Sequence, residues 1–135
     1  RAESMEGAGV TYRDDAYFWE GAKEGRLLLR RCAHCGAFSH PPVPMCGDCH
    51  SLEGTTQPAS GRGTVYTWLV SKHPSKPDAH PRIVALVDLA EGVRIVSNLR
   101  DVDAGDVRDG MPVTVFFDEI GGHVLPQFRP AAEDA

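Results

Sequence analysis

The stretch Cys32-Ala33-His34-Cys35-Gly36, followed along the chain by Cys46-Gly47-Asp48-Cys49, decides how the first part of this sequence folds. In each pair a tight turn directs two cysteine sulfurs to the same side, and Gly36 permits the positive φ that such a turn needs. Ten residues separate Cys35 from Cys46, which is room for two short strands that bring the turns together. The spacing predicts a tetrahedral zinc site whose ligands are Cys32, Cys35, Cys46 and Cys49.

Alternatives to this site stay open in the sequence. The cysteines would form two disulfides in a secreted chain, an arrangement that the CxxC spacing disfavours. The second turn has no glycine directly after Cys49, so we expect it to be less regular than the first. His34, His40 and His50 are candidate replacements for a thiolate, although each also fits an exposed loop. Because four protein ligands leave no open coordination position, the metal is predicted to be structural.

Charge and length restrict the classes of partner. The 135 residues carry 14 Lys plus Arg against 19 Asp plus Glu, a formal net charge of -5, which makes nucleic acid a poor default partner. No apolar run approaches the roughly 20 residues that cross a bilayer, and the start lacks the apolar stretch of a signal peptide. These features predict a cytoplasmic protein without a membrane partner. The chain begins with Arg1 and not with Met, which indicates a trimmed chain or a domain of a longer protein.

An aromatic helix is predicted before the cysteines, from Thr11 to Glu24. Asp14 or Asp15 is the candidate N-terminal cap, and Gly25 stands where a C-terminal cap belongs. Consecutive helical residues point about 100° apart, so the aromatic side chains do not share one stripe and at least two faces need covering. Either the helix packs within its own fold, or its second face meets another subunit. The candidate interface residues are Tyr17, Phe18 and Trp19.

Beyond residue 60 the pattern changes to strands. Leu27 to Leu29 form a short apolar strand before Cys32, whereas Thr55 to Arg62 is linker-like. Five strand candidates then follow, rich in β-branched or aromatic residues: Thr64 to Ser71, Ile83 to Leu89, Val93 to Leu99, Val113 to Asp118 and His123 to Phe128. Short connections predict that the second and third strands pair antiparallel, as do the fourth and fifth. The proline-rich segment from His73 to Arg82 is predicted to be a surface loop.

Five such strands fit an OB-fold barrel, although other small barrels have the same strand number. The fold class is therefore mainly β: an N-terminal helix, a rubredoxin-like zinc ribbon and a C-terminal five-stranded OB-fold. The predicted bounds are a flexible N-terminus over 1–10, the helix over 11–26, the ribbon over 27–60, the barrel over 61–130 and a flexible tail over 131–135.

No catalytic constellation stands out. The sequence has no HExxH, no GxSxG and no phosphate-binding glycine-rich loop, and the metal site uses every cysteine. His73, His80 and His123 are isolated, so no catalytic residue is assigned. These observations favour a binding or assembly role over an enzyme with its own active site.

The order of several motifs resembles a known family. The motifs are Tyr17-Phe18-Trp19-Glu20-Gly21, Gly25-Arg26-Leu27, the two cysteine turns, Pro41-Pro42, Gly61-Arg62-Gly63-Thr64-Val65-Tyr66, Ala85-Leu86-Val87-Asp88-Leu89-Ala90-Glu91-Gly92, Gly110-Met111-Pro112-Val113 and Pro126-Gln127-Phe128-Arg129-Pro130. Together they are similar to the zinc-ribbon plus OB-fold family once called domain of unknown function thirty-five, over about residues 12 to 130.

The resemblance implies an accessory protein of thiolase-superfamily enzymes that handle acyl-CoA thioesters. Its members stand beside thiolases, acyltransferases and the aldolases that shorten steroid side chains, and in the last group the domain resembles a C-terminal extension of a hydratase subunit. The implied partner is a thiolase-like or aldolase subunit of a carbon-carbon lyase or acyltransferase complex, with acyl-CoA at or near the interface. Candidate CoA-binding residues are Arg62, Lys72, Lys76 and Arg82, because a diphosphate needs cationic donors.

Two other functions compete with this interpretation. Zinc ribbons and OB-folds also bind nucleic acid, and Tyr66 and Trp68 are candidate stacking platforms. Four thiolates also bind iron in electron carriers of the rubredoxin type. The acidic composition argues against the first function, and the metal's identity decides the second.

Overall fold

The computed structural model describes residues 16–72 and 81–131. These residues form α1 (Ala16–Lys23), a short 3-10 helix (Ala104–Asp106) and the strands β1 (Leu28–Cys32), β2 (Phe38–Ser39), β3 (Gly54–Pro58), β4 (Arg62–Ser71), β5 (Arg82–Leu89), β6 (Arg94–Leu99), β7 (Pro112–Ile120) and β8 (His123–Pro130). The prediction of a mainly β fold with an N-terminal helix is confirmed. The predicted flexible ends, the cap at Asp14 or Asp15, and the loop residues 73–80 lie outside the described residues.

The chain divides into two compact units. Of the described residues, the first contains 16–60 and 117–126, and the second contains 61–72, 81–116 and 127–131. The segment 117–126 contains the end of β7, the turn at Gly121–Gly122 and the start of β8, and its grouping with the first unit was not predicted from the sequence. Within the described ranges, none of the helices has the length and apolarity that a bilayer crossing requires.

Helix α1 ends in a Schellman motif. Gly25 has a φ of 75°, and its N–H donates to the carbonyl of Ala22 at 3.0 Å. The N–H of Arg26 donates to the carbonyl of Gly21 at 2.8 Å, which completes the pair of hydrogen bonds that defines this motif. The predicted cap at Gly25 is confirmed. Gly21 is also a packing residue, since a Cβ there would lie 2.7 Å from Cγ of Leu28 on β1.

Strand β1 is the centre of a three-stranded sheet in the order β2-β1-β3. It pairs antiparallel with β2 through Arg30 and Ser39, and with β3 from Leu28–Pro58 to Cys32–Gly54. The prediction of a linker over Thr55 to Arg62 is therefore wrong for β3. All five residues of β3 are exposed, so the strand is made by backbone pairing and has no alternation to detect.

The buried side chain of Arg30 explains why β3 begins with a glycine. Arg30 is 7% exposed, and a Cβ at Gly54 would lie 2.6 Å from its Cζ. Among the described residues, the two terminal nitrogens of this guanidinium have no hydrogen-bond partner. A side chain at position 54 would therefore require the guanidinium of Arg30 to shift.

The two cysteine turns have the same backbone design. The N–H of Gly36 donates to the carbonyl of Cys32 at 3.0 Å, and the N–H of His50 donates to that of Cys46 at 3.0 Å. Gly36 has a φ of 82°, as predicted, and His50 takes the matching position with a φ of 66°. The expectation of an irregular second turn is thus wrong, because a histidine adopts the left-handed conformation that glycine adopts in the first.

Strands β4 to β8 close a barrel in the order β4-β5-β6-β8-β7. β4 is antiparallel to β5 and β7, β5 is antiparallel to β6, and β6 is parallel to β8. These directions leave β7 and β8 antiparallel, as predicted. The order first-second-third-fifth-fourth around a closed sheet confirms the OB-type barrel, and each predicted strand lies within two residues of its observed bounds.

Side chains of β5 and β6 alternate between the interior of the barrel and its outer side. In β5 the even-numbered residues, starting from Arg82, are exposed or half-buried. The odd-numbered residues from Ile83 to Leu89 are buried. The interior side chains that are at most 2% exposed include Val65, Val87, Val113 and Phe128. The register of β4 against β5 shifts between Val65 and Thr67, so Tyr66 occupies a bulge.

We predict that Gly63→Ala destabilises the barrel. A Cβ there would lie 2.6 Å from the carbonyl oxygen of Asp88 and 2.7 Å from Cγ1 of Val87, so backbone must move. Overpacking of this kind costs about 1–3 kcal/mol. Gly105→Ala is the matched control, because nothing lies within 4 Å of a Cβ at that position. Urea unfolding measures both, and equal stabilities would contradict the close approach of β4 to β5.

A second prediction concerns the left-handed residue of the second turn. His50→Gly should raise the thermal unfolding temperature of the metal-loaded chain, because left-handed backbone costs an L-residue about 1–2 kcal/mol. His34 is at an exposed position of the first turn and does not have a positive φ, so His34→Gly should leave the thermal unfolding temperature unchanged or lower it. A loss of stability in His50→Gly equal to that in His34→Gly would contradict the strain assigned to His50.

Candidate metal centre

The four cysteine sulfurs meet in the first unit. Cys32 is the last residue of β1, Cys35 follows it in the first turn, and the second turn supplies Cys46 and Cys49. Sγ of Cys32 lies 3.5 Å from Sγ of Cys49, and Sγ of Cys35 lies 3.6 Å from Sγ of Cys46. All four sulfurs lie within 4.8 Å of one another. Tetrahedral Zn–S bonds of about 2.3 Å place sulfurs about 3.8 Å apart, so the cluster fits one metal ion.

Backbone N–H groups point at these sulfurs. Sγ of Cys32 accepts hydrogen bonds from the N–H groups of His34 and Cys35, each at 3.4 Å. Sγ of Cys46 accepts one from the N–H of Asp48 at 3.4 Å. Donors aimed at sulfur stabilise the thiolate over the thiol. The turns therefore both position the ligands and favour the charge state that binds a metal.

The pKa values show competition among the four thiols. The N–H of Cys35, with smaller help from that of His34, lowers the pKa of Cys32 to about 6. The N–H of Ala37 acts to lower the pKa of Cys35, but the neighbouring thiols, Cys46 above all, and burial together raise it to about 12. Four thiolates this close repel one another, so a cation is needed for all four to ionise.

The histidines near the site stay outside the sulfur cluster. Among the described residues, the group arranged to hold a metal consists of the four cysteines. His34 and His50 are exposed, and His40 is half-buried with its ring 5.2 Å from that of Phe18. Burial lowers the pKa of His40, which favours the neutral form of this imidazole. The proposed replacement of a thiolate by histidine has no support in this arrangement.

The aromatic residues of α1 differ in environment. Phe18 is 7% exposed and lies edge-on to Trp19, with ring centroids 5.1 Å apart. Tyr17 and Trp19 are half-buried. Phe18 is thus a core residue of its own unit. Of the three predicted interface residues, Tyr17 and Trp19 are the ones with solvent-accessible surface that a partner could contact.

The candidate CoA-binding residues do not form one group. Ser71 pairs with Arg82, so Lys72 and Arg82 lie at the same end of β4 and β5. Arg62 pairs with Thr114 at the opposite end of β4. At the rise per residue of a β-strand, Arg62 is about 30 Å from Lys72. Lys76 lies outside the described residues. The structure therefore brings together two of the four candidates.

Two further arginines at this end of the barrel strands were missed from the sequence. Arg100 follows β6 one residue beyond the Ile83–Leu99 pair, and its N–H donates to the carbonyl of Phe128 at 2.8 Å. Arg129 is the next residue on β8. The guanidinium carbons of Arg100 and Arg129 lie 5.5 and 4.8 Å from the ring centre of Phe116. Strand register, which the sequence does not state, is what groups these side chains.

The two candidate stacking rings are not presented as a pair. The guanidinium of Arg94 lies over the ring of Tyr66 at 3.7 Å and is paired with Asp88. Trp68 pairs with the buried Ala85, which places it on the interior side of β4. One ring is thus covered by an arginine and the other faces inward.

Comparisons with known proteins agree with this architecture. The sequence profile described as "ChsH2, rubredoxin-like zinc ribbon domain" matches residues 19–53, and the profile "ChsH2, C-terminal OB-fold domain" matches residues 56–118. A solved structure titled "Ltp2-ChsH2(DUF35) aldolase" superimposes with a TM-score of 0.85 and 41% identity. The match covers 93% of this chain and 100% of that one.

Two curated relatives are longer proteins. A probable enoyl-CoA hydratase alpha subunit of Thermomonospora curvata is 43% identical over 121 residues, which cover 88% of this chain and 38% of that protein. The 3-oxo-4,17-pregnadiene-20-carboxyl-CoA hydratase alpha subunit of Mycobacterium tuberculosis is 42% identical over 119 residues, which cover 87% of this chain and 38% of the relative. The ribbon sheet with its sulfur cluster and the closed barrel follow one another along the chain in the same order as the two matching profiles. The chain belongs to the DUF35 family and has the two ChsH2-type domains.

Proposed function

We propose that this chain is a non-catalytic accessory domain that binds one structural zinc ion and docks on a thiolase-fold aldolase acting on CoA-activated steroid side chains. The observation that carries the proposal is the match to the ChsH2 chain of an aldolase complex over its full length at 41% identity. The relative that acts on a pregnadiene-carboxyl-CoA supports the substrate class.

Zinc is the metal that the donor set favours. Four thiolates in a tetrahedron suit zinc and leave no position for water or substrate, so the ion would hold the ribbon together and take no part in chemistry. Such sites supply about 10 kcal/mol or more of folding free energy at neutral pH. The sheet that carries them has a two-residue strand on one side and an exposed strand on the other. The ribbon therefore depends on the metal for its stability.

We predict one zinc ion per purified chain, with no visible absorption band of an iron tetrathiolate. Cys32→Ser should lose the metal and unfold the ribbon, since a buried ligand is removed. His34→Ala, a change between two ligands in the same turn, should retain it. Elemental analysis and absorption spectra decide: bound iron, or zinc lost from His34→Ala, would contradict the tetrathiolate zinc assignment.

The partner's active site, not this chain, is proposed to carry the reaction. The cysteine sulfurs are committed to the metal, and no candidate nucleophile was found elsewhere in the sequence. We place acyl-CoA at or near the interface with the aldolase, with Lys72 and Arg82 as the pair of basic residues that share one end of the barrel. Guanidinium and ammonium groups suit the phosphates of CoA.

The isolated chain should turn over no steroid acyl-CoA, whereas the Ltp2-like aldolase of the same organism should gain solubility and activity when the zinc-loaded chain is added. Assembly completes or stabilises the partner, so the effect should saturate at a fixed ratio of the two chains. Cys32→Ser, with its ribbon unfolded, is the control and should give a much smaller gain. Turnover by the chain alone, or an aldolase indifferent to it, would refute the proposal.

A further inference from the structure

The strand that ends in the first metal ligand also carries a buried arginine. Arg30 and Cys32 are two residues apart on β1, so their side chains lie on the same face of the ribbon sheet. Arg30 is 7% exposed and Cys32 is 2% exposed. The terminal nitrogens of the Arg30 guanidinium have no hydrogen-bond partner among the described residues. A buried cation without a partner is costly, so this face of the sheet needs a compensating negative charge.

Strand register shows where the guanidinium of Arg30 lies. Arg30 pairs with Thr56, whereas Cys32 pairs with Gly54, two residues closer to the metal ligands. Cζ and Nε of Arg30 are each 2.6 Å from the position that a Cβ of Gly54 would take, and Nη2 is 2.8 Å from it. The side chain of Arg30 therefore extends past Thr56 toward the cysteines. It fills the space that a side chain at position 54 would occupy.

This position lies beside the first metal ligand. The N–H of Cys32 donates to the carbonyl of Ala37 at 2.8 Å, on the side of β1 away from β3, so Cys32 and Gly54 form a non-hydrogen-bonded antiparallel pair. The Cβ positions of such a pair lie about 4.5–5.5 Å apart. Adding the 2.6 Å to Gly54 places Cζ of Arg30 within about 8 Å of Cβ of Cys32.

The sulfur cluster carries the charge that a buried guanidinium lacks. Four thiolates around a divalent ion have two net negative charges. The backbone N–H groups that point at the sulfurs of Cys32 and Cys46 offset part of this, but they bring no net charge. Charges in buried surroundings are screened less than charges in water, so a guanidinium at this separation stabilises the cluster. Because its terminal nitrogens do not bond to a sulfur, Arg30 acts through its charge.

The neighbouring arginine provides a contrast. Arg31 is exposed on the opposite face of β1, where its Nε donates to the carbonyl of Gly36 at 3.0 Å and its Nη1 donates to Oε1 of Gln57 at 3.0 Å. Glu53, the acidic residue next to Gly54 in the chain, is exposed and does not bond to the terminal nitrogens of Arg30. Arg31 is thus satisfied by its own side of the sheet, whereas the charge available to Arg30 is that of the thiolates.

We propose that Arg30 is the counter-charge of the metal centre, and that its buried guanidinium raises the affinity of the four thiolates for zinc. This inference rests on the proposed function for the identity of the ion, and it adds a residue outside the ligand set that determines how tightly the ion is held. Gly54 takes part as well, because the absence of a side chain there lets the guanidinium lie beside Cys32.

The test begins with the zinc affinity of the full chain, measured by competition with a chelator. Arg30→Met keeps an unbranched apolar side chain but removes the charge, and it should lower the affinity about tenfold, the lower end of the range for residues that support metal ligands. Arg30→Lys should recover most of the loss. Arg26→Met is the matched control, because Arg26 is an exposed arginine of the same unit that pairs with Glu24, and it should bind zinc as the unaltered chain does.

The reduction potential of the chain loaded with iron in place of zinc separates charge from packing. An iron tetrathiolate has one more negative charge when it is reduced, so a nearby cation favours the reduced form. Arg30→Met should therefore lower the potential, by about 59 mV for each tenfold loss of preference for the reduced form. Water that entered a poorly packed site would favour the more highly charged reduced form and raise the potential instead.

Gly54→Ala is the second variant, and it decides the question if Arg30→Met does not fold. It keeps the charge but requires the guanidinium to shift, so zinc affinity and reduction potential should both fall, by less than in Arg30→Met. A folded Arg30→Met with the affinity and potential of the unaltered chain, or with a raised potential, would overturn the inference while the zinc assignment stands. If Arg30→Met does not fold, unchanged values in Gly54→Ala overturn it. An unaltered chain that binds no zinc would overturn both.

Discussion

The mutual repulsion of four sulfurs within 4.8 Å is the constraint on which the first unit depends. Backbone N–H groups partly offset it by lowering the pKa of Cys32 and of Cys46, but the pKa of Cys35 and of Cys49 is raised. A divalent cation removes this conflict because it stabilises every thiolate at once. In the first unit, β1 lies between a two-residue strand and an exposed strand, and α1 precedes it in the chain. None of these elements has enough apolar surface to fold alone.

The barrel is stabilised in a different way. Its strands alternate side chains between an interior filled by Val65, Val87, Val113 and Phe128 and an outer surface that is partly apolar. Closure of the sheet removes free strand edges, so the exposed aliphatic residues on the outer side of the strands, such as Leu69 and Val96, do not create an aggregation-prone edge.

The features predicted correctly from the sequence are those with local signals. Paired CxxC turns indicate a metal site by themselves, Gly25 marks a helix end, and the period-two pattern of Ile83 to Leu89 indicates a strand. Strand β3 was missed because none of its side chains is buried, so its pairing with β1 leaves no pattern. The conformation of His50 was missed because glycine is the expected residue at such a position. The grouping of Arg82 with Arg100 depends on register, which is a property of pairs of strands and not of either segment.

The sulfur cluster and the exposed aliphatic residues of the barrel belong to separate units. A tetrathiolate ion with no open position stabilises structure but exposes no reactive group. In the OB-type barrel, Arg94 lies over the ring of Tyr66 and Trp68 is on the interior side of β4, so these two rings do not form a stacking platform. Aliphatic residues on the outer side of the barrel include Leu69 and Val96, which are 58% and 66% exposed. Such side chains gain free energy only when another apolar surface excludes water from them.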